Sequence, residues 1–146
     1  MIVMMDKMQY YQGMVDGTVP HPPIADLIGF KVVEAGKGKI VIELVCSDKM
    51  TNSVGAVQGG ITSTIADAAM GMAAMTMMDD AHYAITAELK INFLRTTGME
   101  KLISTGRIVH PGRKLMMGEA EVLSENGKLI AKATSTLMVM ENNTLE

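Results

Sequence analysis

The residues best suited to chemistry lie in one stretch of the chain, where a glycine pair precedes a single carboxylate. Gly59 and Gly60 end a glycine-rich turn, and Asp67 lies in the run of small and apolar residues that follows. The first N–H groups of a helix have no intrahelical partner, so glycines at a helix start can present them to a negatively charged oxygen. A carboxylate can act as a nucleophile or as a general base. The two features together are typical of acyl-transfer chemistry.

Helical spacing places Asp67 on a stripe along the expected helix. The stripe consists of Gly60, Ser63, Thr64, Asp67, Gly71 and Ala74. One interpretation of the stripe is a polar surface that faces water. The corresponding interpretation of the glycine pair is a turn that is needed only for chain geometry. The small residues beyond Asp67 instead favour the close approach of a ligand or of another backbone. The turn is not a P-loop, because no Gly-Lys-Ser/Thr follows it.

The spacing of Gly59 and Asp67 limits how the two residues could act together. Eight residues of helix correspond to about 12 Å, whereas an oxyanion donor and an attacking carboxylate must both lie about 3 Å from one carbonyl group. One helix therefore cannot provide both groups to one substrate. If both act, Gly59 of one subunit works with Asp67 of another, and the sequence predicts a dimer with two shared sites.

The rest of the chain is expected to form strands that position this helix. Period-two patterns and turn residues predict strands over residues 30–34, 39–46, 82–94, 102–109, 115–123 and 129–140. Helical periodicity predicts a short amphipathic helix over about residues 4–15, within an N-terminal segment 1–18, and the long helix over about residues 60–78. Residues 48–60 are predicted to be a loop, and Asn126-Gly127 a two-residue hairpin turn.

This order of elements predicts one α+β domain over residues 1–146. A curved antiparallel sheet of about six strands is expected to wrap around the central helix and cover it nearly all round. The strand after the helix alternates strictly, which places its apolar and polar residues on opposite faces. The apolar set is Ile85, Ala87, Leu89, Ile91 and Phe93, and the polar set is Thr86, Glu88, Lys90 and Asn92.

Composition argues against several functional classes. The chain has 146 residues, of which 48% are hydrophobic and 20% charged, and its net charge is −3. Because it has no basic block and few aromatic residues, nucleic-acid binding is not expected. No apolar run is long enough to span a membrane and no signal peptide is recognised, so we expect a soluble cytoplasmic protein. Cys46 continues the apolar alternation of Ile40, Ile42 and Leu44 and is expected to be a buried hydrophobe.

Methionine is frequent, with 16 residues in the chain. Five of them lie on the central helix or at its end, namely Met70, Met72, Met75, Met77 and Met78. Because methionine is flexible, these side chains could form an adaptable apolar chamber or simply replace leucine in the core. We favour the core for most of them, and expect a few to line a site.

The central stretch resembles the signature of a known family. The run Asn52-x-x-Gly55-x-x-Gln58-Gly59-Gly60, followed by Asp67, is similar to that of hot-dog-fold acyl-CoA thioesterases of the phenylacetic-acid-degradation (PaaI-like) branch. The order of elements extends the resemblance over roughly residues 20–140. It implies the hot-dog fold, homodimers that assemble into homotetramers, and hydrolysis of an acyl-CoA thioester at the subunit interface, with a short, medium or aryl acyl group.

The resemblance also implies roles for individual residues. Asp67 matches the catalytic carboxylate, as nucleophile or as base for water, and Gly59 matches the oxyanion donor. Asn52 matches a polar residue near the thioester or the attacking water, and Thr86 a hydroxyl that helps hold this water.

A second group of residues is expected to bind the substrate. Arg113 and Lys114 match basic residues near the CoA phosphates, and a solvated turn is their alternative. Gly60 and Thr64 lie on the Asp67 stripe and are expected to contact the substrate. No His/Asp/Glu cluster predicts a metal site, and no cofactor is expected beyond the CoA that the substrate carries.

Gln58 departs from the family pattern, which usually has His before the glycine pair. Glutamine can donate and accept hydrogen bonds, but it cannot titrate near neutral pH. If residue 58 in the catalytic site only orients other groups, the chain is expected to be a thioesterase. The alternative is a non-catalytic acyl-CoA or acyl-carrier binding module. A dehydratase of the same fold is less favoured, because such enzymes pair a His with a carboxylate. His21, His82 and His110 are isolated and are expected to be structural or exposed.

Overall fold

One long helix lies in the concave face of a six-stranded antiparallel sheet in the computed structural model, which describes residues 5–142. The helices are α1 (Lys7–Asp16), α2 (Pro23–Ile28) and α3 (Gly59–Met75). The strands are β1 (Phe30–Gly36), β2 (Lys39–Val45), β3 (His82–Phe93), β4 (Lys101–Pro111), β5 (Leu115–Ser124) and β6 (Leu129–Glu141). Their order across the sheet is β1-β2-β4-β5-β6-β3, so β1 and β3 form the edges. The predicted α+β architecture is confirmed.

The N-terminal helix α1 is capped by Asp6. The Asp6 carboxylate accepts a hydrogen bond from the Gln9 N–H at 2.7 Å, and the Gln9 side chain accepts one from the Asp6 N–H. This capping box satisfies N–H groups that the helix itself cannot. Tyr11 and Met14 then bury against the sheet. The predicted helix is present, although its expected first residue, 4, lies outside the described residues.

Apolar alternation correctly predicts the core of β2. Ile40, Ile42 and Leu44 are fully buried, and Cys46 follows them with 5% exposure. Burial raises the pKa of the Cys46 thiol to about 11, so the thiol stays protonated near neutral pH. The prediction that Cys46 is a small buried hydrophobe is confirmed.

Two turn predictions need correction. A two-residue type I′ turn would need a positive φ at both Asn126 and Gly127. Gly127 has a φ of 79°, but among residues 5–142 no residue other than glycine has a positive φ, so the hairpin between β5 and β6 is not such a turn. The Gly127 N–H donates to the Ser124 carbonyl, which makes a longer loop with one left-handed glycine. In the predicted loop 48–60, Asp48–Met50 form a short 3₁₀ turn, and Thr51 pairs with Val57.

Small residues on β4 allow α3 to lie close to the sheet. A Cβ atom on Gly106 would lie 2.4 Å from the carbonyl carbon of Ala69, so only glycine fits there. The Ser104 hydroxyl donates to the Ile65 carbonyl at 2.9 Å. The helix ends at Met75 rather than near residue 78, as expected from the unfavourable acidic pair that follows it.

The sheet wraps around α3 as predicted, but it leaves one stripe of the helix less covered than the rest. Ile65, Ala66, Ala69, Met70 and Ala73 are fully buried against the strands. Gly60 is exposed, and Thr64, Asp67, Ala68 and Gly71 are half-buried. We call Gly60, Thr64, Asp67 and Gly71 the open face of α3. It borders the edge strand β3.

A bulge in β3 overturns the predicted strict alternation. Thr86 pairs with Leu137 and Glu88 pairs with Thr136, so Ala87 is an extra residue without a direct partner. One extra residue reverses the side-chain pattern beyond it. Thr86 therefore points toward α3, on the same side as Leu89, whereas Ile85 is 48% exposed on the outer face.

Candidate active site

The structure brings Asp67 and Thr86 together at the junction of α3 and β3. The Thr86 hydroxyl donates to Oδ1 of the Asp67 carboxylate at 2.8 Å. Oδ2 has no hydrogen-bond partner among residues 5–142, and the carboxylate is half-buried on the open face. A carboxylate oriented through one oxygen, with the other facing an accessible surface, is suited to act as a base or nucleophile.

The bulge at Ala87 makes this hydrogen bond possible. In the predicted regular strand, Thr86 would share the outer face with Lys90 and Asn92. The extra residue turns it inward without displacing Leu89 and Ile91, which remain packed against the core. The hydroxyl was predicted to hold the attacking water, but the structure places it directly on the carboxylate.

The N-terminus of α3 presents the second half of the candidate site. Gly59 is the first helical residue and Gln58 is the N-cap, but the Gln58 side chain forms no capping hydrogen bond and is exposed. The N–H groups of Gly59 and Gly60 consequently lie at the positive end of the helix dipole without intrahelical partners. These groups are suited to bind an oxyanion.

Phe93 closes one side of this helix start, a contact that the sequence pattern does not reveal. A Cβ atom on Gly59 would lie 3.0 Å from Cζ of the Phe93 ring. The ring itself is 52% exposed at the end of β3. Phe93 thus forms an apolar wall beside Gly59. Only its alternation within the strand hinted at an inward position.

Asn52 organises the loop that leads into α3. Its side-chain oxygen accepts hydrogen bonds from the N–H groups of Val54 and Ala56, both at 3.1 Å. Its own N–H donates to the Ala56 carbonyl at 2.7 Å. The Asn52 side-chain oxygen therefore fixes the turn, and the predicted contact with thioester or water would have to use the amide nitrogen.

The same helix carries both Gly59 and Asp67, as predicted. The rise of an α-helix separates them by about 12 Å, too far for both to contact one carbonyl group. The hydroxyls between them bond within the helix, because Ser63 and Thr64 donate to the carbonyls of Gly59 and Gly60 at 2.9 Å. Thr64 can still accept a hydrogen bond from a substrate through its hydroxyl oxygen.

Arg113 and Lys114 lie at the opposite end of the molecule from Gly59. They occupy the turn between β4 and β5, and both are exposed. Arg113 lines a cavity of about 320 Å³ beyond the C-terminal end of α3, together with Met77, Met78 and Met116. The structure thus separates Arg113 from the helix start but places it in a concave surface. Met70 and Met72, in contrast, belong to the core, as expected.

The three histidines do not contact Asp67. His21 accepts a hydrogen bond from the Val32 N–H at 2.9 Å, which is a structural role on the far edge strand. His82 lies 2.6 Å from Asp79 and four residues before Thr86, about 13 Å along β3. His110 is exposed at the end of β4. None of them therefore stands in for the histidine that the family resemblance leads one to expect at position 58.

Neither a metal-binding cluster nor a membrane-spanning helix is found among residues 5–142. Within residues 5–142, no three or more His, Cys, Asp and Glu side chains are grouped so that they could hold a metal ion. Over the same residues, no helix has the length and apolar character needed to cross a membrane.

Comparison with solved structures defines the class of fold. PaaI from the phenylacetic acid degradation operon of Escherichia coli superposes with a TM-score of 0.81 over 92% of this chain and 96% of its own, at 18% identity. A thioesterase family protein from Silicibacter pomeroyi gives 0.81 at 27% identity, over 90% and 99% of the two chains. A Streptococcus mutans protein solved with bound acetyl CoA gives 0.72 at 28% identity, over 77% and 89%. The fold is the hot-dog fold.

Sequence comparison then gives the family. Residues 54–131, which include the glycine pair and Asp67, match the family described as the thioesterase superfamily. A Saccharolobus solfataricus protein provisionally named an esterase is 32% identical over 80% of this chain and 83% of its own. Human acyl-coenzyme A thioesterase 13 is 25% identical over 72% and 76%. The chain belongs to the thioesterase superfamily, in agreement with the resemblance seen in its sequence.

Proposed function

We propose that this chain hydrolyses an acyl-CoA thioester, with a short, medium or aryl acyl group, to the free acid and CoA. The hydrogen bond from Thr86 to Asp67 is the observation that carries the proposal, because it orients a carboxylate on the half-open face of α3. Membership of the thioesterase superfamily and the similarity to human acyl-coenzyme A thioesterase 13 support the substrate class.

Asp67 can act in two ways that give the same products. Its Oδ2 either attacks the thioester carbonyl directly, which gives a mixed anhydride of Asp67 that water then hydrolyses to the free acid, or takes a proton from a water molecule that attacks the carbonyl. Both routes form an oxyanion, break the C–S bond and release CoA as its thiol once a proton is supplied. Thr86 holds Oδ1 throughout, so that Oδ2 faces the substrate.

The oxyanion is stabilised by a second subunit in this proposal. Since Gly59 is about 12 Å from Asp67 in its own helix, the N–H that binds the oxyanion comes from the partner subunit's Gly59. The open face of α3 lies beside the edge strand β3, and a second copy would cover both surfaces. We therefore propose a homodimer with two shared sites, which assembles further into a homotetramer.

Other residues of the site have supporting roles. Gly60 and Thr64 border the path between the two half-sites and contact the substrate, and the Asn52 amide nitrogen lies near the thioester. Arg113 and Lys114 bind CoA phosphates, for which a guanidinium and an ammonium group are suited. We keep two further predictions, namely that the reaction needs no metal or cofactor and that the protein is cytoplasmic.

Release of CoA from a panel of acyl-CoA thioesters tests the proposal. The wild type should release CoA from at least one member, and Asp67→Asn should lose most of this activity, because asparagine can accept the Thr86 hydrogen bond but is neither a base nor a nucleophile of comparable strength. Equal rates for the two proteins would refute the role of Asp67.

The shared site is tested by mixing two inactive variants. Gly59→Pro removes the N–H at the first helical position, where proline is tolerated. Gln58, with φ −59° and ψ 132°, already has a conformation that permits a following proline. Gly59→Ala is the control, because it adds the same Cβ next to Phe93 but keeps the N–H.

A purified heterodimer of Asp67→Asn and Gly59→Pro subunits discriminates between the two arrangements. If the site is shared, one site contains both substitutions and the other is intact, so the heterodimer should recover about half of the wild-type activity. If each subunit contains a complete site, both sites are damaged and the heterodimer should stay inactive. Circular dichroism of each variant checks that it folds.

Gln58 favours one alternative function, a non-catalytic acyl-CoA or acyl-carrier binding module. Its exposed amide caps nothing in the helix and cannot carry a proton as histidine does. Calorimetric binding of acyl-CoA without turnover by the wild type would support this alternative. Gln58→His provides a further check, since a binding module that lost its histidine should gain activity.

A further inference from the structure

A second cavity, of about 360 Å³, lies between the loop that follows β3 and the hairpin turn that joins β5 to β6. None of the residues assigned to the candidate active site or to CoA binding lines it, so the proposed hydrolysis does not account for it. Its lining consists mainly of polar side chains, namely those of Arg95, Thr96, Glu100, Ser124, Asn126 and Lys128.

Three charged side chains line this cavity without pairing with one another. Arg95 and Lys128 are exposed cations, and neither forms an ion pair with a carboxylate of residues 5–142. Glu100 carries the opposite charge, but its carboxylate accepts a hydrogen bond from the Thr97 hydroxyl instead of pairing with either cation. Both signs of charge are therefore present in one cavity and available to a ligand.

Hydrogen bonds to the backbone hold the three charged residues in place. The Arg95 N–H donates to a carbonyl of β6 at 3.2 Å, and the Lys128 N–H donates to the Ser124 hydroxyl at 3.1 Å. The Glu100 carbonyl accepts a hydrogen bond from the Cys46 N–H at 3.0 Å, which ties the end of the loop to the end of β2. A site whose parts are held before the ligand arrives loses less conformational entropy on binding.

The charges and the lining select among ligands. Phosphate or a simple carboxylate would match Arg95 and Lys128 but would be repelled by Glu100. An acyl chain would find little apolar surface, because Ile130 is the one apolar residue in the lining. A free α-amino acid carries both charges. Its carboxylate can accept two parallel N–H groups from the Arg95 guanidinium, and its ammonium group can donate to Glu100.

We propose that this cavity binds a free α-amino acid with a small or polar side chain. The ligand's carboxylate lies on Arg95, with Lys128 beside it, and its ammonium group lies on Glu100. The Thr96 hydroxyl and the Asn126 amide can bond to a polar side chain of the ligand. The volume of about 360 Å³ is near the lower end of the range of about 300–1,000 Å³ for ligand pockets, which suits a single amino acid.

Calorimetric titration of the full chain with glycine tests the proposal without requiring turnover. Glycine should bind, whereas acetate, which lacks the ammonium group, and glycine methyl ester, which lacks the carboxylate, should each bind at least about tenfold more weakly. Binding of acetate or inorganic phosphate as tightly as glycine would show a simple anion site and would overturn the proposal. Failure of glycine to bind would overturn it as well, since the cavity would then hold only solvent.

Two charge variants assign the two ends of the ligand. Arg95→Ala should weaken glycine binding by about tenfold. Glu100→Gln can still accept the Thr97 hydrogen bond, and it should weaken glycine binding but strengthen acetate binding, because it removes a repulsive charge. Arg107→Ala is the control, because this exposed arginine of β4 does not line the cavity, and it should bind glycine as the wild type does. If Glu100→Gln weakened the binding of both ligands equally, its charge would not select the ligand and the proposal would fail.

NMR spectra of the isotope-labelled protein locate the bound ligand. Addition of glycine should shift the backbone amide signals of residues 95–100 and 124–130 and should leave those of residues 64–71, on the open face of α3, unchanged. Shifts confined to the open face would place the amino acid in the candidate active site and would contradict the proposal. Spectra of each variant that match the wild type away from the cavity show that a loss of binding is not a loss of folding.

Discussion

Helix α3 presents a packed face to the sheet and an open face to its surroundings, and both faces consist largely of small residues. On the packed face, small size brings backbones together, as where Gly106 lies against Ala69. On the open face, a Cβ atom on Gly71 would meet no atom within 4 Å in this chain. The same residue type therefore serves packing on one face and leaves space on the other.

This difference separates stability from chemistry along one helix. The packed face includes Ile65 and Ala69, which are fully buried and make its contacts within the chain. The open face carries Asp67, whose only described side-chain hydrogen bond is to Thr86. Substitutions on the packed face should therefore change the free energy of unfolding, and substitutions on the open face should mainly change the rate.

Asp67→Asn should have the largest effect on the rate and should separate activity from stability most clearly. Loss of the base or nucleophile should lower kcat by about 10²–10⁴-fold, whereas the free energy of unfolding should change by no more than about 0.5 kcal/mol. Steady-state CoA release and urea unfolding measure the two quantities. If the variant lost stability in proportion to its activity, the open face would be structural after all.

Gly106→Ala should show the opposite behaviour. Its Cβ would lie 2.4 Å from the Ala69 carbonyl carbon, so the helix must move away from β4, at a cost of about 3 kcal/mol in unfolding free energy. Gly71→Ala is the matched control, and helix propensity alone predicts that it stabilises the chain by up to about 1 kcal/mol. A destabilised Gly71→Ala would show that a second copy needs this space.

Thr86→Val should have an intermediate effect on rate. Valine keeps the branched shape but removes the hydrogen bond that orients the Asp67 carboxylate, so kcat should fall by about tenfold, less than in Asp67→Asn. Thr86→Ser keeps the hydroxyl and should recover most of the activity. Equal losses in both variants would mean that the methyl group matters rather than the hydroxyl.

Replacing two buried serines by alanine should have the smallest effects, and the two variants should differ in their free energy of unfolding. Ser104 donates to the Ile65 carbonyl, so Ser104→Ala should cost about 1 kcal/mol of unfolding free energy. The Ser135 hydroxyl is buried on β6 without a hydrogen-bond partner among residues 5–142, so Ser135→Ala should be neutral or stabilising. A costly Ser135→Ala would indicate a buried water that binds this hydroxyl. Chemical denaturation of both variants makes the comparison.

Much of the fold could be predicted from local patterns. Alternation of Ile40, Ile42 and Leu44 correctly predicted a buried strand face, because side chains on a strand point alternately to its two sides. The bulge at Ala87 could not be predicted in this way, since an extra residue leaves no mark in a period-two pattern of mixed apolar and polar residues. That error assigned Thr86 to the wrong face.

The part of the candidate site that lies within one helix could be predicted from local patterns, whereas the part formed by distant residues could not. Asp67 and the glycine pair are close in sequence and share one helix, so their spacing could be read from the helical rise. The wall that Phe93 forms beside Gly59, and the cavity that Met78, Met116 and Arg113 line, join residues from distant parts of the chain. Contacts of this kind depend on how the strands are ordered, which local periodicity does not specify.

The sequence by itself determined the chemistry that is available: one carboxylate on a helix that begins with two glycines, about 12 Å apart, so that the two could act on one carbonyl group only if they came from different subunits. These conclusions follow from residue types and from the fixed geometry of a helix. Only the tertiary structure decided which face of α3 stays open, and that Thr86 orients the carboxylate. Both depend on the curvature and register of the sheet, which arise from contacts between strands far apart in the chain.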